Sequence, residues 1–240
     1  MKPYYENKFG KLYCGDSYEF TEELLQENKI DCMITDPPYE ISVGGGNSFL
    51  TTSARKILNK DSNLKEISNG FDFSLLDIVS VNSNFNSFVF CSNKQIYKLL
   101  DWAIKKNYFT NVLVWNKTNS VPFCHSVWRS DIEYIIHIRK KGTIFNDCTA
   151  EIKRKCFTST TIKDSIHPTV KPLELVSNYV KIGSNEGGIV FDPFGGSGTT
   201  ALGAQQNKRQ WILIEQEEKY CEYAASRLEE ISGTNLDSLF

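Results

Sequence analysis

Two short stretches carry residue types and spacings that could do chemistry. The first is Ile34-Thr35-Asp36-Pro37-Pro38-Tyr39, in which an apolar strand ends on a carboxylate, two prolines and an aromatic ring. Each proline fixes its own φ at about −65°, and Pro38 also restricts Pro37. Neither donates a backbone hydrogen bond. The turn is therefore stiff, rich in acceptors and poor in main-chain donors, which suits a substrate that donates through N–H groups. As an isolated motif it also reads as an ordinary strand-to-loop turn, because Asp and Pro are common turn residues.

The second stretch is Asp192-Pro193-Phe194-Gly195-Gly196-Ser197-Gly198-Thr199-Thr200, followed by Glu215 twenty residues after Gly195. A strand, a glycine-rich turn, a helix, a second strand and an acidic residue make a dinucleotide-type half-site. The glycines let the backbone approach a ligand closely, and Glu215 can accept from both ribose hydroxyls. No lysine follows Gly198, which excludes a Walker-type phosphate loop, and G-G-S-G departs from G-x-G-x-x-G. Asp192 would repel a pyrophosphate. It suits a cofactor bearing a cation, such as the sulfonium and amino group of S-adenosylmethionine. Ser197 lacks the strand-to-helix elbow and the acid and histidine partners of a nucleophilic serine.

Elements that position these stretches follow from apolar periodicity. Leu12-Tyr13-Cys14 reads as a strand ending at Gly15-Asp16. Ser17 is expected to cap a helix carrying Phe20, Leu24 and Leu25, and Asp31 to Thr35 is the next strand. This βαβ start puts Asp16 and Asp36 at carboxyl ends of parallel strands, where open α/β sheets bind ligands. Further strands are expected at 87–91, 112–115, 132–138 (antiparallel), 189–191 and 211–214. Helices are expected around 73–79, and over 95–105, 173–182, 199–206 and 219–231. The polar stretch 40–70, with Gly44-Gly45-Gly46, reads as a mobile loop with one helix near 52–60. Residues 139–166 form a basic segment, in which Arg139, Lys140, Lys141, Lys153, Arg154, Lys155 and Lys163 outweigh Asp147, Glu151 and Asp164. Such a run is read equally as a solvated face or a nucleic-acid patch.

Composition sets outer bounds. The 240 residues are 40% hydrophobic and 23% charged, as in ordinary soluble domains. No apolar run is long enough to span a membrane, and the N-terminal residues have no signal-peptide core. The seven cysteines show no C-x-x-C spacing, so reduced thiols and a cytoplasmic setting are expected, with no metal. A net charge of −2 confines any nucleic-acid surface to a local patch.

The pairing of Asp36-Pro37-Pro38-Tyr39 with the downstream Asp192–Thr200 motif resembles the DNA amino-methyltransferases that modify adenine N6 or cytosine N4. The motif order is that of their circularly permuted β-group, closest in look to compact phage-type adenine enzymes. Gly15-Asp16, Phe90-Cys91-Ser92, Trp115-Asn116-Lys117, Glu133 and His167-Pro168-Thr169-Val170-Lys171-Pro172 also fall where that family has motifs. The resemblance implies a single Rossmann-like α/β domain over 1–240, with a mostly parallel seven-stranded sheet and one antiparallel strand. It implies S-adenosylmethionine as cofactor, DNA as partner and a possible homodimer. Because of the permutation, the strand at residue 12 should lie beside the one at residue 211, with Asp16 near Glu215.

By the same resemblance, Asp16 holds the cofactor's adenine amine and Glu215 its ribose. Asp36, Asp192, Phe194, Gly195, Gly196, Ser197, Gly198 and Thr199 line the cofactor site, while Thr169 and Lys171 hold the methionine carboxylate. Asp36 and the Pro37 carbonyl accept the two N–H hydrogens of the target amine, on the stiff turn that Pro38 completes, and Tyr39 stacks on the flipped base. Candidate DNA contacts are Lys153, Arg154 and Lys155. Asp at position 36 favours adenine, since cytosine members more often carry serine there. Cytosine-N4 methylation and a non-catalytic, nucleic-acid-holding protein are the rival readings.

Overall fold

The computed structural model describes residues 1–40, 70–120, 128–162, 164–167 and 169–233. Most of the expected loop over 40–70, including its helix near 52–60, lies outside them.

Chain order among the described residues is β1 (Tyr5–Asn7), β2 (Gly10–Cys14), α1 (Ser17–Glu27), β3 (Ile30–Thr35), α2 (Ser74–Asn82), β4 (Asn86–Cys91) and α3 (Asn93–Lys105). There follow β5 (Phe109–Lys117), β6 (Ile132–Arg139), β7 (Cys156–Ser159), α4 (Leu173–Gly183), β8 (Ile189–Asp192), α5 (Thr199–Gln206), β9 (Gln210–Glu215) and α6 (Glu218–Gly233). The strands form one sheet in the order β1-β2-β9-β8-β3-β4-β6-β5-β7. Strands β1 and β6 run against the other seven.

The expected seven strands are thus the run from β2 to β5, with β6 as the antiparallel member. The sheet has nine strands because a short strand is added at each edge. β1 forms a tight hairpin with β2 through Tyr5↔Leu12. β7 lies inside the basic segment and pairs with β5 through Trp115↔Phe157. Neither carries a sustained apolar alternation, since an edge strand of three or four residues is half solvated.

Alternation along the central strands sends side chains to two cores. Cys32 and Ile34 of β3, with Phe88 and Phe90 of β4, meet Leu175, Val176 and Tyr179 of α4 and Ala201 and Leu202 of α5. Met33, Val89 and Cys91 face the other way, onto Leu24 and Leu25 of α1, Leu76 and Val79 of α2, and Leu99 and Ala103 of α3. Helices on both faces of a mostly parallel sheet make a doubly wound fold. Trp115 and Trp211 are core residues, 2% and 0% exposed.

One helix start differs from expectation. Asp16 caps α1 by accepting from the Tyr18 amide at 2.7 Å. Ser17 is the first helical residue, and its hydroxyl donates to the Pro193 carbonyl.

The chain reverses its winding between β8 and β3. From β8 it proceeds through α5 to β9 on one side, and from β3 through α2 to β4 on the other. At such a switch point the loops after neighbouring strands diverge and leave a crevice at the carboxyl ends. Those two loops are Asp36–Tyr39 and Asp192–Gly198.

Candidate active site

The crevice is a cavity of about 730 Å³. Asp16, Asp36, Pro37, Pro38, Tyr39, Thr169, Lys171, Asp192, Phe194, Gly195, Gly196, Ser197, Thr199 and Glu215 all line it. Gly198 lies just behind the wall. Its φ is +75°, and a Cβ there would sit 2.9 Å from Ala224 Cβ of α6. Lys153, Arg154 and Lys155 are not among the lining residues. They precede β7 at the sheet edge, and Lys153 is ion-paired to Asp147.

The glycine turn is fastened at both ends. Asp192 accepts from the Phe194 amide at 3.0 Å and from Thr200 Oγ1 at 2.7 Å. Thr200 Oγ1 also reaches Ile34 O at 3.4 Å, 166 residues away, which ties the two loops together. Gly196 N donates to Glu215 Oε2 at 2.7 Å, and Glu217 N to Glu215 Oε1 at 2.8 Å. With Gln216 N also acting on it, the Glu215 carboxylate still retains acceptor capacity for a ligand hydroxyl. Arg227 of α6 holds Ser197 O at 2.5 Å and Thr199 Oγ1 at 3.2 Å, so those residues brace the turn. Cys14 pairs with Glu215 in register, and Gly15 N donates to Glu215 O at 2.9 Å. Asp16 therefore begins its loop beside the acidic end of β9.

An aromatic corner closes this side. Phe194 meets Phe71 edge-on at 6.1 Å and Tyr18 at 6.5 Å. Sequence reasoning missed Phe71 and Tyr18, both of which line the cavity. Phe71 is the first apolar residue after a polar stretch, a signal too brief to read.

Across the cavity, the proline turn is pinned from α3. Gln95 Nε2 donates to Pro38 O at 3.1 Å, and Ser92 Oγ donates to Glu40 O at 3.2 Å. Asp36 Oδ2 takes the Lys171 ammonium, whereas Asp36 Oδ1 is buried with no partner among the described residues. Lys171 is itself buried and sits 3.5 Å from Glu133 Oε2. Glu133 Oε1 binds Lys117 Nζ at 2.6 Å, and Glu133 Oε2 accepts from Tyr39 OH at 3.2 Å. The Lys171 ammonium is thus engaged by two carboxylates at the wall of the cavity. Glu133, singled out in the sequence as falling on a family motif but given no role there, is a site residue and the one acid in strand β6.

Titration follows burial. Burial pushes Asp36 above its usual range, opposed by the Lys171 charge. Burial raises Asp192 to about 7, against the bonds from Thr200 and Phe194 N, with Asp36 adding repulsion. Burial also raises Glu215 and the Tyr39 phenol. Burial and the nearby Lys171 hold His167 down at about 4, so its imidazole is neutral at ordinary pH. Its ring packs edge-on against Tyr220 at 4.8 Å.

A cavity at the switch point of such a sheet is the ligand site of a Rossmann-like fold. Comparison with known proteins narrows the class. Residues 30–226 match the N6_N4_Mtase model, described as DNA methylase, and the chain belongs to that family of DNA methyltransferases. It is 28% identical to the type II methyltransferase M2.MboI of Moraxella bovis, over 97% of this chain and 93% of that protein. Identity to the type II methyltransferase M2.DpnII of Streptococcus pneumoniae is also 28%, over 98% and 95%. The crystal structure of the M1.HpyAVI–SAM complex superposes with a TM-score of 0.67 at 26% identity, over 91% of this chain and 99% of that one. The cytosine-N4-specific PvuII DNA methyltransferase shares the fold, at a TM-score of 0.67 and 17% identity, over 96% and 93%.

No group of His, Cys, Asp or Glu able to hold a metal ion occurs among the described residues, and none of their helices is long and apolar enough to cross a membrane.

Proposed function

We propose that this chain methylates the exocyclic N6 of an adenine flipped out of DNA, at a specific site, using S-adenosylmethionine. The observation that carries the reading is Asp36, whose Oδ1 is a buried carboxylate oxygen without a hydrogen-bond partner among the described residues, on a rigid turn that lines the same cavity as the glycine turn. A buried acceptor left unpaired is costly unless a ligand completes it. An amine N–H is the matching donor.

The cavity fits the cofactor. Glu215 keeps lone pairs for ribose hydroxyls, the Tyr18–Phe71–Phe194 corner offers a slot for a planar ring beside Asp16, and Asp192 with Asp36 suits a cation. When bound, S-adenosylmethionine supplies an electrophilic methyl group on a sulfonium. Asp36 and the Pro37 carbonyl accept the two amine hydrogens, which favours a pyramidal nitrogen with a localised lone pair. Because the prolines fix the turn beforehand, those acceptors need no reorganisation during reaction. The Asp36 carboxylate receives the proton that the amine loses. Tyr39 offers its ring to the base. Holding amine and methyl donor in one cavity supplies much of the rate.

Carboxylate at position 36 is the reason for adenine over cytosine. Type II relatives suggest a restriction–modification setting, and the exposed Arg154 and Lys155 are assigned to DNA phosphates. The test is tritiated methyl transfer to unmethylated DNA, with RNA and protein as parallel acceptors and nucleoside analysis of the product. N6-methyladenine in DNA supports the reading. N4-methylcytosine overturns the base assignment, and no transfer to DNA overturns the function.

A further inference from the structure

Lys171 offers three N–H donors and meets three acceptors: Asp36 Oδ2, Glu133 Oε2 and the Thr169 carbonyl at 3.4 Å. The ammonium is therefore held inside the protein, between two carboxylates and a carbonyl. Its ammonium serves as the fixed counterion of Asp36, and what fixes it from the far side is Glu133. The same Glu133 oxygen accepts the Tyr39 hydroxyl. The other Glu133 oxygen takes Lys117, which offsets the second carboxylate, so the four charges Asp36, Lys171, Glu133 and Lys117 sum to zero. Lys117 is held in turn over the Trp115 ring at 5.1 Å, and Trp115 Nε1 donates to Ser159 Oγ at 2.9 Å, anchoring the network in β5 and β7. Glu133 itself sits on β6 opposite Trp115, on a paired strand and not on a loop.

We infer that Glu133 is a positioning residue for methyl transfer: through Lys171 it fixes the orientation of the Asp36 carboxylate, and through the Tyr39 hydroxyl it sets the ring on which the base stacks. The inference rests on the proposed function above. Two long side chains and a phenol share one carboxylate, so removing it releases both halves of the amine site together. The negative charge of Glu133 also raises the basicity of Asp36, alongside the opposing pull of Lys171. Charged and titratable groups facing the pair are Lys171 ahead of α4, Lys117 from β5, Tyr39 after β3, Asp192 from β8 and Cys91 at the end of β4.

The experiment compares full-length wild type with Glu133→Gln, Glu133→Asp, Tyr39→Phe and the Glu133→Gln/Tyr39→Phe pair. Asp36→Ala serves as the control for the reaction itself. Expected for Glu133→Gln is a fall in kcat of at least tenfold, with cofactor Kd and DNA Kd within twofold of wild type. Its acid limb of kcat against pH moves to lower pH, because Asp36 loses the neighbouring negative charge. Glu133→Asp keeps that charge and returns the limb toward its wild-type position. The double variant is no slower than Glu133→Gln alone, since both changes break one contact. Wild-type kcat and an unmoved acid limb in Glu133→Gln, or strictly multiplicative losses in the double variant, overturn the inference. If Glu133→Gln does not fold, the kcat values of Glu133→Asp, whose shorter side chain falls back from Lys171 and Tyr39, and of Tyr39→Phe decide instead, and wild-type kcat in both overturns it. Asp36→Ala separates the two levels. Full turnover there removes the proposed function, whereas a dead Asp36→Ala beside an unaffected Glu133→Gln removes only the role of Glu133.

Discussion

Lys171 closes an ion pair onto Asp36 across 135 residues of chain, and in doing so leaves one Asp36 oxygen with a cation and the other buried without a hydrogen-bond partner among the described residues. That asymmetry makes the carboxylate a directional acceptor. One oxygen is committed to the Lys171 cation, and the other keeps its acceptor capacity unused.

Replacing Asp36 by Ala removes the acceptor but not the cofactor turn. Methyl transfer is expected to fall below detection while S-adenosylmethionine binding remains measurable by calorimetry. Near-normal turnover would remove Asp36 from the chemistry.

Lys171→Met strips Asp36 of its counterion. Burial then acts unopposed and raises the carboxyl further, so the acid limb of kcat should move to higher pH, opposite to Glu133→Gln. A lost buried pair also weakens the fold by about 2–3 kcal/mol, less than for a fully enclosed pair because a quarter of the Asp36 side chain stays exposed. Kinetics against pH and chemical denaturation measure the two effects.

Two buried groups should tilt stability in opposite directions over one pH window. Asp192, raised to about 7 from 3.8, favours the fold when neutral, and that contribution is lost as pH rises from about 4 through 7. His137, held at about 4 by burial against Phe88 and Asn86, favours the fold when neutral, and its contribution is lost as pH falls from 6.5 toward 4. Each single-proton slope approaches about 1.4 kcal/mol per pH unit at most. Asp192→Asn should therefore make stability climb more steeply with pH, and His137→Gln should make it climb less. Denaturant midpoints between pH 4.5 and 7 read both, and identical slopes in the two variants would contradict the assignment.

A bound sulfonium favours the ionised form of Asp192. Cofactor binding near pH 7 should release protons and tighten as pH rises from 6 to 8. Titration calorimetry in buffers of different ionisation heat measures this, and Asp192→Asn is expected to abolish the release.

Gly198→Ala forces a side chain onto a φ of +75° and into Ala224 Cβ at 2.9 Å. The expected loss is about 1–3 kcal/mol. Because Gly198 lies behind the cavity wall, residual activity per folded molecule should fall much less than stability does.

Charge reversal at Arg154 and Lys155 should weaken DNA binding across sequences and reduce the salt slope by about 0.9 per phosphate contact removed. Lys153→Glu should matter less, since Asp147 already holds that lysine. An unaltered slope in all three would clear this patch of any phosphate role.

Much of this molecule is legible along the chain because its determinants are local. Alternation in Cys32–Ile34 and Phe88–Cys91 gives strands, a 3.6-residue period gives α3 and α4, and the proline and glycine turns announce themselves by composition. Motif order even foretells that residue 12 runs beside residue 211. What local pattern cannot carry is which side chains complete one another across the crevice. The partnering of Lys171 with Asp36, the junction at Glu133, the Phe71–Phe194 corner, the edge strands β1 and β7, and the neutrality of His167 all depend on burial and on distances between remote segments. Hydrogen bonds and desolvation act over a few ångströms of space irrespective of separation along the chain, so only the packed sheet decides them.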